Sequence, residues 1–179
     1  MTRREVRPSA ALLARARAAD EEALAILFDR YGEPVYRTAL RITGIYADAE
    51  DIVQDVFVGL PEALVTYEGQ ASFVRWVQSI ATRAALMVVR RRKRRGEVQG
   101  ERILRAQPAP AGPVTEDSLT IECALARLTE AERLVVVLTQ IEGYSHDEVA
   151  AMLGITNAAS KSRLSRGLKR LRKLYAGDW

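Results

Sequence analysis

The sequence predicts an all-α protein made of two small helical domains joined by a flexible linker. Three observations carry that expectation. The 179 residues are 48% hydrophobic, enough to build a core, and rich in the strong helix formers Ala, Leu, Arg and Glu. Apolar residues recur at helical spacing in two separate stretches, with few alternating runs and only 6% aromatic residues. Between the two stretches, QPAPAGP at Gln107 to Pro113 cannot continue a helix, because proline lacks the amide donor and clashes with the preceding turn. The expected boundaries are a tail over 1–19, a first domain over 20–95, a linker over 96–117 and a second domain over 118–176.

Residues 1 to about 18 are rich in Arg and Ala and carry little apolar surface beyond Leu12 and Leu13, as suits a short tail or a frayed helix. From Asp20, Leu24, Leu27, Phe28 and Tyr31 follow helical spacing up to a break at Gly32 to Pro34; Val35, Tyr36, Ala39, Leu40 and Ile42 continue to a stop at Gly44, which predicts two closely joined helices. A further helix from about Ala47 has Ile52, Val53, Val56, Phe57 and Leu60 as its apolar stripe, and Pro61 kinks or ends it. The next begins near Ser72, carries Phe73, Trp76, Val77, Ile80, Ala81, Ala84, Ala85 and Val88, and is expected to dissolve into the basic run RRRKRR. Phe73 and Trp76, an aromatic pair at i, i+3, are expected in the core. In the second domain the pattern predicts helices over Ser118 to Arg127, Glu130 to Ile141, His146 to Leu153 and Asn157 to about Tyr175.

Charge is unevenly spread. Asp20 to Glu68 holds eleven acids and three bases, Arg90 to Arg95 is six consecutive bases, and Lys161 to Lys173 holds seven bases and no acid. One acidic and two basic surfaces predict at least two kinds of partner. Cys123 is alone, so no internal disulfide forms, and with His146 as the single histidine no zinc-type ligand set exists. Both are expected to be ordinary packed or surface residues. No metal, no cofactor and no catalytic constellation is expected, hence no enzyme. Without a long apolar run or a signal-type N-terminus, the chain is expected in the cytoplasm with no membrane insertion.

The most specific stretch is YSHDEVAAMLGITNAASKSRLSRGLKRLRKL. Ser145 and Glu148 have the spacing of a capping box, Gly154 can end that helix at positive φ, and Thr156 can cap the next. On the last helix Leu164, Leu168, Leu171 and Leu174 make one stripe, leaving Lys161, Ser162, Arg163, Ser165, Arg166 and Lys169 as the candidate DNA-contacting set. Short polar and basic side chains near a helix N-terminus suit the major groove, where Arg meets both guanine acceptors at once. The unit is a helix-turn-helix for double-stranded DNA. By itself it also fits an autonomous transcriptional regulator in which 20–95 is a sensor or dimerisation domain, and, with little DNA affinity, a protein-interaction mimic.

Taken together with the first domain, the segment from Ala126 to Leu174 resembles region four of the bacterial sigma-70 RNA polymerase sigma factors, specifically the two-domain extracytoplasmic-function group. DAEDIVQDVF at Asp48 to Phe57 resembles the polymerase-docking helix of region two, and GQASFVRW at Gly69 to Trp76 resembles the segment that opens and reads the minus-ten element. The resemblance implies a sigma factor that binds core RNA polymerase, through the clamp of the largest subunit and the flap of the second largest, and promoter DNA, and that is held by an anti-sigma factor. It implies docking by Asp48, Asp51, Gln54, Asp55 and Val58. Minus-ten and phosphate contacts fall to Tyr67, Gln70, Ser72, Arg75, Trp76, Arg83, Arg90 and Arg91, and minus-thirty-five reading to the residues named on the last helix. Ser160 stands where many members carry Val.

Overall fold

The computed structural model describes residues 7–69, 72–96 and 116–175, with side chains for 7–69, 72–96 and 121–174. Gln70, residues 1–6 of the expected tail and 97–115 of the expected linker lie outside the described residues. The chain divides into two compact units, 1–98 and 99–179, and every regular element among the described residues is helical.

The first unit begins with α1 (Ala10–Arg17), where a tail or frayed helix was expected. It is a capped and anchored element. The Leu12 N–H donates to Ser9 Oγ at 3.1 Å, Ala16 is fully buried, and Arg17 donates to the carbonyls of Leu64 and Tyr67 at 3.1 and 3.3 Å. Small apolar residues hid this packing, since Ala leaves no conspicuous stripe. α2 (Glu21–Thr43) follows from an Asp20 cap and ends at Gly44, whose φ of 72° only glycine takes without strain.

α2 is one helix of 23 residues, not the two expected from Gly32 to Pro34. Pro34 withdraws only its own N–H, and the buried face of Ala23, Leu27, Tyr31, Val35, Ala39 and Ile42 is continuous across it. Packing of that face outweighs the local cost of about 3 kcal/mol for an internal proline. α3 (Tyr46–Val58) stops at Gly59, and a short α4 (Leu60–Ala63) carries Pro61 in its first turn, where a missing N–H costs nothing.

α5 (Phe73–Arg95) does not dissolve at the basic run but continues through all six bases to Gly96, at φ 67°. Arg and Lys are good helix formers, and cations in a last turn face the negative end of the helix dipole. α2 packs on α3 and α5 around Leu27, Val35, Ile42, Ile52, Leu60, Leu64, Phe73 and Val77.

The second unit contains α6 (Glu116–Ala126), α7 (Glu130–Val136), α8 (His146–Leu153) and α9 (Asn157–Tyr175). Thr129 and Glu132 form a capping box at the start of α7. Beyond Val136 the helix widens into a π-helical turn, Val137–Ile141, in which the Glu142 N–H reaches the Val137 carbonyl at 3.0 Å. There the Thr139 hydroxyl donates to the Val135 carbonyl at 2.7 Å and competes with the ordinary ladder. Leu125, Leu128, Leu134, Val135, Val137, Leu138 and Val149 form the core, and Gly167 of α9 lies against Val136 and Glu132 of α7.

Candidate nucleic-acid and partner interfaces

The α8–turn–α9 unit forms as its spacing predicts. Ser145 Oγ accepts the Glu148 N–H at 3.3 Å, while Glu148 accepts from the Ser145 N–H at 2.8 Å and from its hydroxyl at 2.7 Å. Those donors hold the Glu148 carboxyl below its ordinary value. Gly154 takes φ 63°, and Thr156 Oγ1 accepts the Ala159 N–H at 3.1 Å, so the corner is closed and the next helix capped. Lys161, Ser162, Ser165, Arg166 and Lys169 are all exposed, and at 3.6 residues per turn they span a band of about 140°. Arg163, included with them from sequence, is half-buried on the flank of that band.

Outside the band, Leu164, Leu168, Leu171 and Leu174 are only half-buried; the fully covered positions, on the opposite side of α9, are Ser160 and Gly167. Neither was expected in that role. Small side chains give no hydrophobic signal, yet Gly167 allows α7 to approach, and Ser160 shares a hydrogen bond of 2.8 Å with His146 Nδ1. His146 is therefore half-buried and bonded rather than a plain surface group, whereas Cys123 is exposed on α6 rather than packed.

On α3, Asp51, Gln54, Asp55 and Val58 lie on one exposed stripe, with Val58 at 80% exposure. Asp48 does not belong to it. Its carboxylate is paired with Arg92 of α5, both side chains keeping under a fifth of their exposure. Burial pushes the Asp48 carboxyl up, against the pull of the Arg92 charge. The pair joins residues 44 positions apart, so helical spacing alone could not separate Asp48 from its neighbours. It also sets Arg92 apart from the other bases of the run Arg90 to Arg95.

Ahead of α5, Tyr67 is 8% exposed, its ring 5.3 Å from Phe73 and 4.9 Å from Trp76, and Phe73 meets Tyr31 at 4.7 Å. Phe73 is core, as expected; Trp76 is half-buried at the edge of the cluster. Tyr67 is thus closed against the Phe73 and Trp76 rings rather than standing open at the surface, and Ser72 is half-buried at the N-cap of α5. Arg75, Arg83, Arg90 and Arg91 are exposed, and Arg75, Arg83, Arg90 and Arg94 fall within about 100° of one another around α5. One face of a single helix thus carries cations along most of its length. Among the described residues no group of acids, His and Cys could hold a metal ion, and no helix is long and apolar enough to cross a membrane.

Two family models match this arrangement: Sigma-70 region 2 over residues 27–95 and Sigma-70, region 4 over residues 118–171. The RNA polymerase sigma factor CarQ of Myxococcus xanthus is 33% identical over 157 residues, 86% of this chain and 90% of CarQ. The chain is a sigma-70 family member of the extracytoplasmic-function group. The ECF RNA polymerase sigma factor SigE of Mycolicibacterium smegmatis is 34% identical over 156 residues; the match takes in 84% of this chain and 60% of that relative's length. The solved structure of CnrH in complex with the cytosolic domain of CnrY matches with a TM-score of 0.52 and 29% identity, covering 94% of this sigma factor and 97% of that chain. Sigma factors are initiation factors that direct RNA polymerase to promoters. Region 2 of this one is the α2–α5 unit with its acidic stripe and basic helix face, and region 4 is the unit that ends in α8 and α9.

Proposed function

We propose that this sigma factor docks on core RNA polymerase through Asp51, Gln54, Asp55 and Val58, reads a minus-thirty-five element with the exposed band of α9, and opens and holds a minus-ten element with the segment from Tyr67 to Trp76. The observation that carries this reading is the band of Lys161, Ser162, Ser165, Arg166 and Lys169, held at the surface by a doubly capped helix-turn-helix. The exposed acidic stripe suits basic side chains on the clamp of the largest polymerase subunit, and region 4 suits the flap of the second largest. Arg75, Arg83, Arg90 and Arg91 supply salt-dependent phosphate contacts without sequence choice. Extruding a base from the melted strand costs a few kcal/mol, which a shaped pocket and those contacts offset. Tyr67 acts here as a support under the capturing segment.

The proposed domains are region 2 over 20–95, with α1 added to it, a linker over 96–117 and region 4 over 118–176. The protein has no catalytic activity of its own and works in the cytoplasm. Because CnrH is matched in a complex with CnrY, a protein partner that covers the polymerase-facing surfaces and holds the factor inactive is part of the proposal. An autonomous regulator is not favoured, since the N-terminal unit matches region 2 and not a sensor or dimerisation domain.

Run-off transcription with core enzyme, followed by sequencing of the start sites, tests the proposal. Specific starts preceded by shared elements at two fixed spacings are expected; DNA binding to palindromic sites by the free protein, with no polymerase-dependent starts, would overturn it. With the promoter known, Arg166→Ala is expected to cost about 1–3 kcal/mol at the upstream element. Unchanged preference there would remove Arg166 from base reading.

A further inference from the structure

We propose that His146 and Ser160 are positioning residues for promoter reading: with Asp147 and Asn157 they form a polar clasp between the first turns of α8 and α9 that sets the pose of the recognition helix. The inference rests on α9 being the DNA-reading helix, as proposed above.

The apolar contact between the two helices is thin. Val149 is the fully buried residue of α8, while Met152 and Leu153 are half-buried. Apolar burial is non-directional, so such a contact resists separation of the helices far better than it resists their rotation or sliding. Directional bonds supply what is missing. Ser160, fully buried and one position before Lys161, places its Oγ 2.8 Å from His146 Nδ1. One residue further along α8, Asp147 Oδ1 accepts from Asn157 Nδ2 at 2.6 Å. The four residues are adjacent on α8 and three apart on α9, so two separate points are tied and rotation of α9 about its own axis is opposed.

The clasp is distinct from the caps. Ser145 with Glu148, and Thr156 with the Ala159 N–H, close the helix ends, and none of their atoms takes part in it. A buried hydroxyl at a helix–helix contact, where an aliphatic side chain would fill the space without needing a partner, has a role only if the bond is made. Rotating α9 by about 10° would move atoms about 6 Å from its axis by about 1 Å, beyond the roughly 0.5 Å tolerance of a preorganised site.

The test uses the full chain in reconstituted holoenzyme and the promoter mapped by start-site sequencing. The quantity read is the ratio of transcripts from that promoter to transcripts from the same DNA with its upstream element replaced, because a general loss of active protein lowers both alike. Ser160→Ala and His146→Leu are each expected to lower the ratio about two- to tenfold. The double variant should be no worse than the poorer single one. His146→Asn, whose amide can stand near the Nδ1 position, should keep the ratio close to the unsubstituted protein, a rescue that a space-filling role would not produce. A ratio unmoved by Ser160→Ala and His146→Leu, while Arg166→Ala lowers it, overturns the clasp alone. No effect from any of the three overturns the assignment of α9 and the clasp with it. A ratio as low for His146→Asn as for His146→Leu also overturns the clasp.

Discussion

Glycine-to-alanine substitutions at two helical positions should act in opposite directions. At Gly167 a Cβ would lie 2.8 Å from Val136 Cγ2 and 3.5 Å from Glu132 Cβ. Carbon atoms in contact prefer about 3.5–4.0 Å, so the first distance is short by about 0.7–1.2 Å. Val136 cannot swing away: it is 4% exposed, and a β-branched side chain has one strongly preferred rotamer in a helix. The helices must therefore part, at an overpacking cost of about 1–3 kcal/mol. Alanine returns about 1 kcal/mol of helix propensity, leaving a net loss of about 0–2 kcal/mol. At Gly32 of α2 the nearest atoms are Phe28 ring carbons at 3.8 Å, an ordinary contact. Gly32→Ala should accordingly stabilise, by up to about 1 kcal/mol. Urea unfolding of the full chain, followed by circular dichroism, measures both. If Gly167→Ala stabilises as much as Gly32→Ala, the close approach of α7 and α9 is refuted. Adding Val136→Ala to Gly167→Ala should cost less than the two single losses summed, since the smaller neighbour relieves the clash.

Asp48→Ala leaves Arg92 without its carboxylate and should cost about 3 kcal/mol, whereas Asp48→Ala with Arg92→Met should recover most of the loss; equal losses in denaturant midpoint would count against the pair. Asp51→Arg with Asp55→Arg should abolish capture by core polymerase while thermal unfolding stays within about 0.5 kcal/mol, because both side chains are exposed; normal holoenzyme formation would rule out the stripe as the docking surface. The Glu148 carboxyl is held down by Ser145, so its stabilising contribution is complete above the ordinary value of 4.5 and is lost as pH falls through the lower folded value. Glu148→Gln should therefore unfold earlier than the parent near neutral pH and converge with it in acid, as read from thermal midpoints. Asp48 has the opposite sign: its raised carboxyl contributes stability below 3.8 that is lost as pH rises through the folded value, and Asp48→Asn should flatten that limb of the curve.

What could be read in advance was local. The capping box of Ser145 and Glu148, the stop at Gly154 and the exposed set on α9 depend on residues within a turn or two of each other, and helical periodicity places them without knowledge of the rest. Misplaced elements were those decided by distant partners. α2 passes through Pro34 because α3 and α5 cover one face on both sides of it. Asp48 turns inward to Arg92, Tyr67 closes onto Phe73 and Trp76, and α1 is tied down by Arg17 reaching the carbonyls of Leu64 and Tyr67. The burial of Ser160 and Gly167 was not legible for another reason. Small and polar residues carry no hydrophobic signal, although at helix crossings they determine how near two helices come and at what angle.

The persistence of α5 through its basic run makes it a ruler. Its 23 residues extend about 35 Å, close to one turn of B-form DNA, with Phe73, part of the segment proposed to hold the melted strand, at one end and the last cations at the other. Both ends move as one body, so under the proposed roles a displacement of the melted base and a displacement of the duplex phosphates are geometrically the same event. The spacing is also phased: one extra residue inserted in mid-helix would lengthen the ruler by about 1.5 Å and turn every cation beyond it by about 100°. Under the proposed roles, length and phase together constrain how far from the start of melting the intact duplex must lie.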